Sequence, residues 1–293
     1  MSSETRGFGY VPDIPSVKDY IADTPAVADL MKQTRSARML SGVAASASGA
    51  AAAPALNPSV DLRQFCSPIE DQGRLGSCTA NAAAGLVEYF ERRAFGKFVD
   101  ASRLFIYKTT RDLLGWTGDT GAYLRSAMEA LVLFGTPPER YWPYDITKFD
   151  IEPSAFLYAL GSNYQATKYF RLDPNGAPTT QVLQNIKAYL AAGFPSMFGF
   201  PVYDEYMHVP ADGKAAFPSA HSTYYGGHAN VAVGYDDNIN IGGQAGALLV
   251  RNSWGTGWGL QGYAWLSYKY VTAGLATDWW SVVDQKWVDT GKF

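Results

Sequence analysis

The chain is poor in sulfur and in histidine, with 2 cysteines and 3 histidines among 293 residues. Two thiols cannot build a disulfide framework, and three imidazoles leave a multi-ligand zinc site few donors, so neither a metal nor another cofactor is expected. An excess of either charge is missing as well. Lysine and arginine number 24 against 27 aspartates and glutamates, a net charge of −3, and no basic run forms a phosphate-binding stripe. Nucleic acid is therefore not expected as a partner. Apolar runs fall far short of the roughly 20 residues that cross a bilayer, which argues against a membrane partner. Residues 1–10, MSSETRGFGY, show neither the basic and apolar regions of an export signal nor an Arg-rich transit pattern. The expectation is a cytoplasmic protein, or one exported without a classical signal peptide.

What remains is a composition that packs: 47% hydrophobic, 14% aromatic and 17% charged. That length suits one large domain or two smaller ones around a cleft. Three segments are expected. Residues 1–40 form an N-terminal leader with a short helix capped by Thr24, opened by Pro25 and presenting Val27, Leu30 and Met31 on one face. Residues 41–56, rich in Ala, Ser and Gly, read as a flexible linker. Residues 57–293 carry the apolar periodicity of a folded body.

Within that body the first half is helical. Residues 78–95 place Ala80, Ala83, Ala84, Val87 and Phe90 on one face, with Glu88, Glu91 and Arg92 opposite and Gly96 as the stop. Residues 121–134 and 180–192 repeat the pattern, ending at Gly135 and Gly193. Strands are expected at 196–202, 229–235, 247–251 and 262–268, between Gly-, Asp- and Asn-rich turns. Helices first and strands later make an α+β protein of two lobes, about 57–193 and 194–293, with a cleft between them.

Cys78 stands where a Gly-rich turn, Gly73 to Ser77, enters the strongest helix. Unpaired N–H groups and the helix dipole stabilise an anion there, so this thiol is a candidate nucleophile. Gln72 lies six residues earlier, close enough for its side-chain amide and the Cys78 N–H to share a developing oxyanion. Among the histidines, His228 follows Gly226 and Gly227 at the start of an expected strand and is the best general base. His208 and His221 lie in Tyr- and Pro-rich loop sequence. Asn252, at the end of an apolar strand, can fix a histidine tautomer without adding charge, and Trp254 can shield that bond from water. A phosphate loop at Gly255-Thr256-Gly257 is rejected, because no third glycine and helix follow at the required spacing.

Gln72-Gly73, Gly76-Ser77-Cys78, His228, Asn252 to Gly255, Trp258-Gly259 and Gly262-Tyr263 occur in an order that resembles the papain family of cysteine peptidases. Ser59 to Arg63 resembles the start of the family's mature domain, and Tyr141 to Tyr144 its mid-chain aromatic turn. The resemblance covers roughly residues 57 to 270. It implies the papain-like two-lobed fold, with a helical left lobe, an antiparallel sheet or barrel as right lobe, and an interlobe cleft. It also implies an endopeptidase, with Cys78 as nucleophile, His228 as base, Asn252 as orienting amide, Gln72 at the oxyanion and Trp254 as shield. Thiolate and imidazolium would rest as a pair. By the same resemblance Gly121 offers its backbone to an extended substrate, while Tyr123, Gly199 and Ala229 line the pocket for the second residue before the scissile bond. Peptide or protein substrates, and a monomer, are implied.

Several departures matter. Thr79 stands where the family commonly has Trp, and Leu75 where it commonly has a disulfide-forming Cys, leaving Cys66 without a partner. The pattern looks like the prokaryotic branch of the family, whose members often begin with Gly-Tyr-x-Pro-Asp, as Gly9 to Asp13 do here. Phe8, Tyr10, Pro12, Ile14 and Tyr20 promote order upstream of the linker, so part of residues 7–40 is expected on the domain near the cleft, as a regulatory, zymogen-like segment. Two alternatives stay open: an exopeptidase or amide hydrolase with the same triad, and a binding or effector protein that keeps the fold without turnover.

Overall fold

The computed structural model describes residues 6–21, 24, 25, 27–29 and 56–285. Residues 41–55 of the expected 41–56 linker, and Leu30 and Met31 of the N-terminal helix, lie outside the described residues. The start of that helix is present: the N–H groups of Val27 and Ala28 donate to the Thr24 carbonyl, and Val27 is buried.

Helix α1, Cys78–Phe95, forms from an Ala-rich run of high helix propensity and ends where Gly96 adopts φ 72°. It packs against helices α2 (Arg103–Leu113) and α3 (Leu124–Leu133) on one side and against the sheet on the other. Because both sides are covered, the polar face read from the sequence is not a solvent face. Glu88 and Glu91 are buried. Glu88 accepts from the Ser67 hydroxyl and the Ala101 N–H, and Glu91 accepts from the Val99 N–H, so both carboxylates tie loops to the helix. Burial pushes the Glu88 carboxyl up to about 8. Gly85 lies inside α1 because the Arg251 guanidinium crosses the helix there, where a Cβ would collide with it.

The sheet comprises β1 (Ser59–Asp61), β2 (Ala166–Arg171), β3 (Ser196–Tyr203), β4 (Lys214–Ala215), β5 (Tyr224–Ile241), β6 (Gln244–Arg251), β7 (Tyr263–Ser267) and β8 (Thr277–Gln285). Strands run in the order β2-β8-β3-β5-β6-β7-β4, with β1 on β5. All pairs are antiparallel except β4 with β7. The central strand β5 is longer than the 229–235 expected, and His228 falls within it rather than at its start. Its buried stretch runs from His228 to Tyr235. None of the expected elements corresponds to α2, β2 or β8. In α2 the apolar period is masked by Arg103, Lys108 and Arg111, which are buried in ion pairs with Glu139, Asp112 and Asp150. In β8, Trp279 lies parallel to Phe198 of β3 at 4.1 Å, which anchors the strand in the core.

The helices of the first half and the sheet of the second meet along α1, giving the two-lobed α+β architecture. The lobes are stitched by main-chain bonds from Gln72 N–H to the Ser253 carbonyl and from Gly255 N–H to the Glu70 carbonyl. Among the described residues, no helix is long and apolar enough to cross a membrane.

Candidate active site

Cys78 opens α1 at the lobe boundary and is fully buried. Backbone N–H groups of Ala229, Gly9, Thr79 and Cys78 itself are directed at its sulfur and favour the thiolate, but burial outweighs them and pushes the thiol up to about 11. Ala229 directly follows His228, so the backbone of β5 next to this histidine reaches the Cys78 sulfur. The His228 Nε2 lies 2.7 Å from Asn252 Oδ1, while Nδ1 is buried without a hydrogen-bond partner. With Nε2 committed as donor to the amide oxygen, Nδ1 is the nitrogen free to exchange a proton. Burial lowers the imidazole to about 4, against the bond to Asn252, and the nearby Arg6 cation lowers it further. The resting thiolate–imidazolium pair expected from the sequence is therefore disfavoured in this state: burial holds both groups neutral.

Trp254 covers the imidazole, with ring centroids 4.4 Å apart and planes tilted by 28°. The neighbouring residue Ser253 has a role the sequence did not reveal. Its hydroxyl donates to Gln72 Oε1 at 2.6 Å, which turns the Gln72 Nε2 toward the cleft. Tyr144 donates to the Gln72 carbonyl at 3.1 Å and is hydrogen-bonded to the Ser77 hydroxyl, bracing both ends of the turn that leads into Cys78. His208 and His221 are exposed.

The N-terminal segment runs through the cleft. Gly7 donates to the Gly73 carbonyl at 3.1 Å, and its own carbonyl accepts from Gln72 Nε2 at 3.1 Å. Phe8 stands edge-on to His228 and Trp254, with centroids at 6.3 and 6.1 Å, and the Arg6 guanidinium lies 4.6 Å from the Trp254 ring. At Gly7 and Gly9 a Cβ would collide with the carbonyls of Leu75 and Gly76, so only glycine permits this approach. Beyond them the chain pairs with the domain on both sides. Tyr10 N–H donates to the Gly227 carbonyl at 3.1 Å, while Ala122 donates to the Gly9 carbonyl at 2.8 Å and accepts from Val11 N–H at 3.1 Å.

The pocket residues taken from the resemblance separate here. The buried Tyr10 ring lies directly on Gly199, where a Cβ would collide with it, and its hydroxyl is 3.5 Å from Thr277 Oγ1. Ala229 pairs with Gly199 across β5 and β3. Gly121 presses against Gly9, but the backbone bonds to the segment come from Ala122, because the Gly121 N–H is taken by the Tyr107 hydroxyl. The ring contact described for Tyr123 is with Trp116 at 5.2 Å. Both cysteines are free, and burial pushes the Cys66 thiol up to about 11. Among the described residues, no three or more His, Cys, Asp or Glu side chains are grouped to hold a metal ion.

Comparison with known proteins identifies the family and the fold. The model of the papain family cysteine proteases matches residues 56–283. The uncharacterized peptidase C1-like protein L477 of Acanthamoeba polyphaga mimivirus is 37% identical over 230 residues, 76% of this chain and 71% of that protein. Xylellain, a cysteine protease from Xylella fastidiosa, has a similar structure, with a TM-score of 0.73 and 33% identity over 97% of each chain. Digestive procathepsin L 3 of Tenebrio molitor larval midgut shares the fold at 22% identity and a TM-score of 0.60, over 78% of this chain and 70% of that one.

Proposed function

The chain belongs to the papain family of cysteine proteases and is a cysteine peptidase, and we propose that it cleaves internal peptide bonds through Cys78, His228 and Asn252, with Gln72 at the oxyanion. The observation that carries this reading is the 2.7 Å bond that commits His228 Nε2 to Asn252 and leaves Nδ1 free to exchange a proton. In the reaction His228 takes the Cys78 thiol proton and becomes imidazolium as the sulfur attacks the scissile carbonyl carbon, and Gln72 Nε2 and the Cys78 N–H donate to the oxygen as it gains charge. The C–N bond breaks as the imidazolium gives its proton to the leaving amine. Water, deprotonated by His228, then opens the thioester, releasing the acid and restoring the thiol.

Residues 57–293 constitute the peptidase domain in this reading, and residues 6–20 hold it off. The Gly7 carbonyl takes the Gln72 donor, Phe8 covers His228, and Tyr10 fills the pocket over Gly199. Burial beneath the segment opposes the charges that the chemistry needs on Cys78 and His228. The pocket over Gly199, with Ala229 beside it, takes the second side chain before the scissile bond and favours aromatic ones.

The test is the intact mass of the reduced full chain after incubation with a peptide-like epoxysuccinyl inhibitor, followed by peptide mapping. A single adduct, on Cys78 and absent from Cys66, is expected, forming faster when Tyr10 is replaced by Ala. No adduct on either chain would overturn the catalytic reading.

A further inference from the structure

Arg125 is the second residue of α3, three positions beyond Ala122, whose N–H and carbonyl clasp the backbone of residues 9 and 11. Its guanidinium holds two carboxylates, Asp13 at 2.7 Å through Nη1 and Asp19 at 2.9 Å through Nη2. The Ile14 carbonyl also accepts from Nη2 at 2.9 Å. All three acceptors belong to the N-terminal segment. Arg171, in β2, differs in this respect. It also reaches Asp19, at 3.6 Å, but pairs with Asp173 at 2.9 Å and Asp278 at 3.0 Å, both within the peptidase domain. Among the described ion pairs, Arg125 has no partner from the domain. Glu129 on the same helix, hydrogen-bonded to Ser126, and Asp278 of β8 attract the Arg125 cation without forming an ion pair with it.

The two guanidiniums share one platform, lying 5.7 and 5.0 Å from the Trp280 ring. The face of an indole attracts a guanidinium and leaves its N–H fork to receive a carboxylate. This cation is thus built into the wall of the cleft, next to the pocket over Gly199, and its counter-charge comes from a segment that occupies the seat of a peptide.

We propose that Arg125, held over Trp280, is a specificity-determining residue that selects acidic peptides, those with a carboxylate about three residues from the side chain lodged over Gly199. The spacing is that of Tyr10 to Asp13, and a bound peptide replaces both. The proposal rests on the peptidase reading for its consequence in turnover, but not for binding.

Fluorogenic peptide pairs test it on the full chain. The two members of a pair are identical except for Glu or Gln three residues from a tyrosine, and pairs are made with the acid on either side. Both members must displace the same N-terminal segment, so the ratio of their kcat/KM values isolates the subsite. In one orientation the Glu peptide is expected to be preferred about tenfold, through KM, as befits a charge-assisted hydrogen bond at a partly exposed site. Arg125→Gln brings the ratio to about one, and Arg125→Lys keeps part of it. Raising salt to about 1 M erodes the preference in the native chain, a measurement that does not depend on the folding of any variant. A ratio of one in the native chain at low salt, or a preference that survives Arg125→Gln, overturns the proposal. The same pairs are titrated by fluorescence anisotropy against the full-length Cys78→Ala chain. A tenfold difference in Kd with no turnover by the native chain would sink the peptidase reading and keep the subsite, whereas equal Kd values would sink the subsite.

Discussion

The side-chain amide of Gln72 donates to the backbone carbonyl of Gly7 at 3.1 Å. A donor assigned by sequence to a developing oxyanion is thereby engaged by the protein's own N-terminal segment. Three anchors set this contact: the glycine approach at residues 7 and 9, the Tyr10 ring on Gly199, and the carboxylates of Asp13 and Asp19 on Arg125.

Tyr10→Ala removes the aromatic anchor. Truncating a buried aromatic side chain costs about 3–5 kcal/mol, of which even half, taken from docking, shifts occupancy by more than tenfold. Peptide hydrolysis and alkylation of Cys78 by iodoacetamide at pH 7 should each rise at least about tenfold. Unchanged rates would show that the segment does not limit access.

Gln72→Ala tests the oxyanion donor in the full chain. Loss of one such donor lowers kcat by about 100-fold. Because the same substitution frees Gly7, the apparent KM should not rise. Ser253→Ala, which unhitches the Gln72 Oε1, should lower kcat in the same direction by a smaller factor. A wild-type kcat in both variants would remove Gln72 from the mechanism.

The pH dependence of stability follows from His228, which burial holds at about 4 in the folded chain against 6.5 for the free side chain. Between those values the unfolded chain binds a proton that the folded chain refuses. The contribution of this neutral histidine is complete above about pH 6.5 and is lost as pH falls toward 4, on the order of 3 kcal/mol in all. Thermal melts from pH 7.5 to 4.5 should fall more steeply for the native chain than for His228→Gln. Parallel curves would assign the acid sensitivity elsewhere.

Gly85→Ala reverses an ordinary rule. Alanine in place of a mid-helix glycine usually stabilises by about 1 kcal/mol. Here the new methyl meets the Arg251 guanidinium, which donates to the Ser67 hydroxyl and the Pro68 carbonyl. The variant should lose about 2 kcal/mol, read as a drop in Tm of roughly 4–8 °C for a chain of this size. A higher Tm would show that Arg251 yields at no cost.

Local chemistry made much of this molecule readable. Alanine propensity and Gly96 delimit α1, apolar runs mark β3, β5 and β6, and Cys78, His228, Asn252 and Gln72 stand in motifs whose residue types suit nucleophilic chemistry. Those signals depend on near neighbours, so the sequence alone carries them. Helix α2 was not legible, because its buried cations are neutralised by Glu139 and Asp150, far along the chain. The buried state of Glu88 and Glu91, the position of Ala122 rather than Gly121 against the segment, and the bracing of Gln72 by Ser253 and Tyr144 depend on chain crossings of the same kind. Most of all, the sequence led to the expectation that part of residues 7–40 lies on the domain near the cleft, whereas the contacts that seat it there required the folded walls. Tyr10 needs the bare backbone of Gly199, and Asp13 and Asp19 need Arg125. Pairings between groups more than 100 residues apart exist only once the lobes have closed, and so only the tertiary structure decides them.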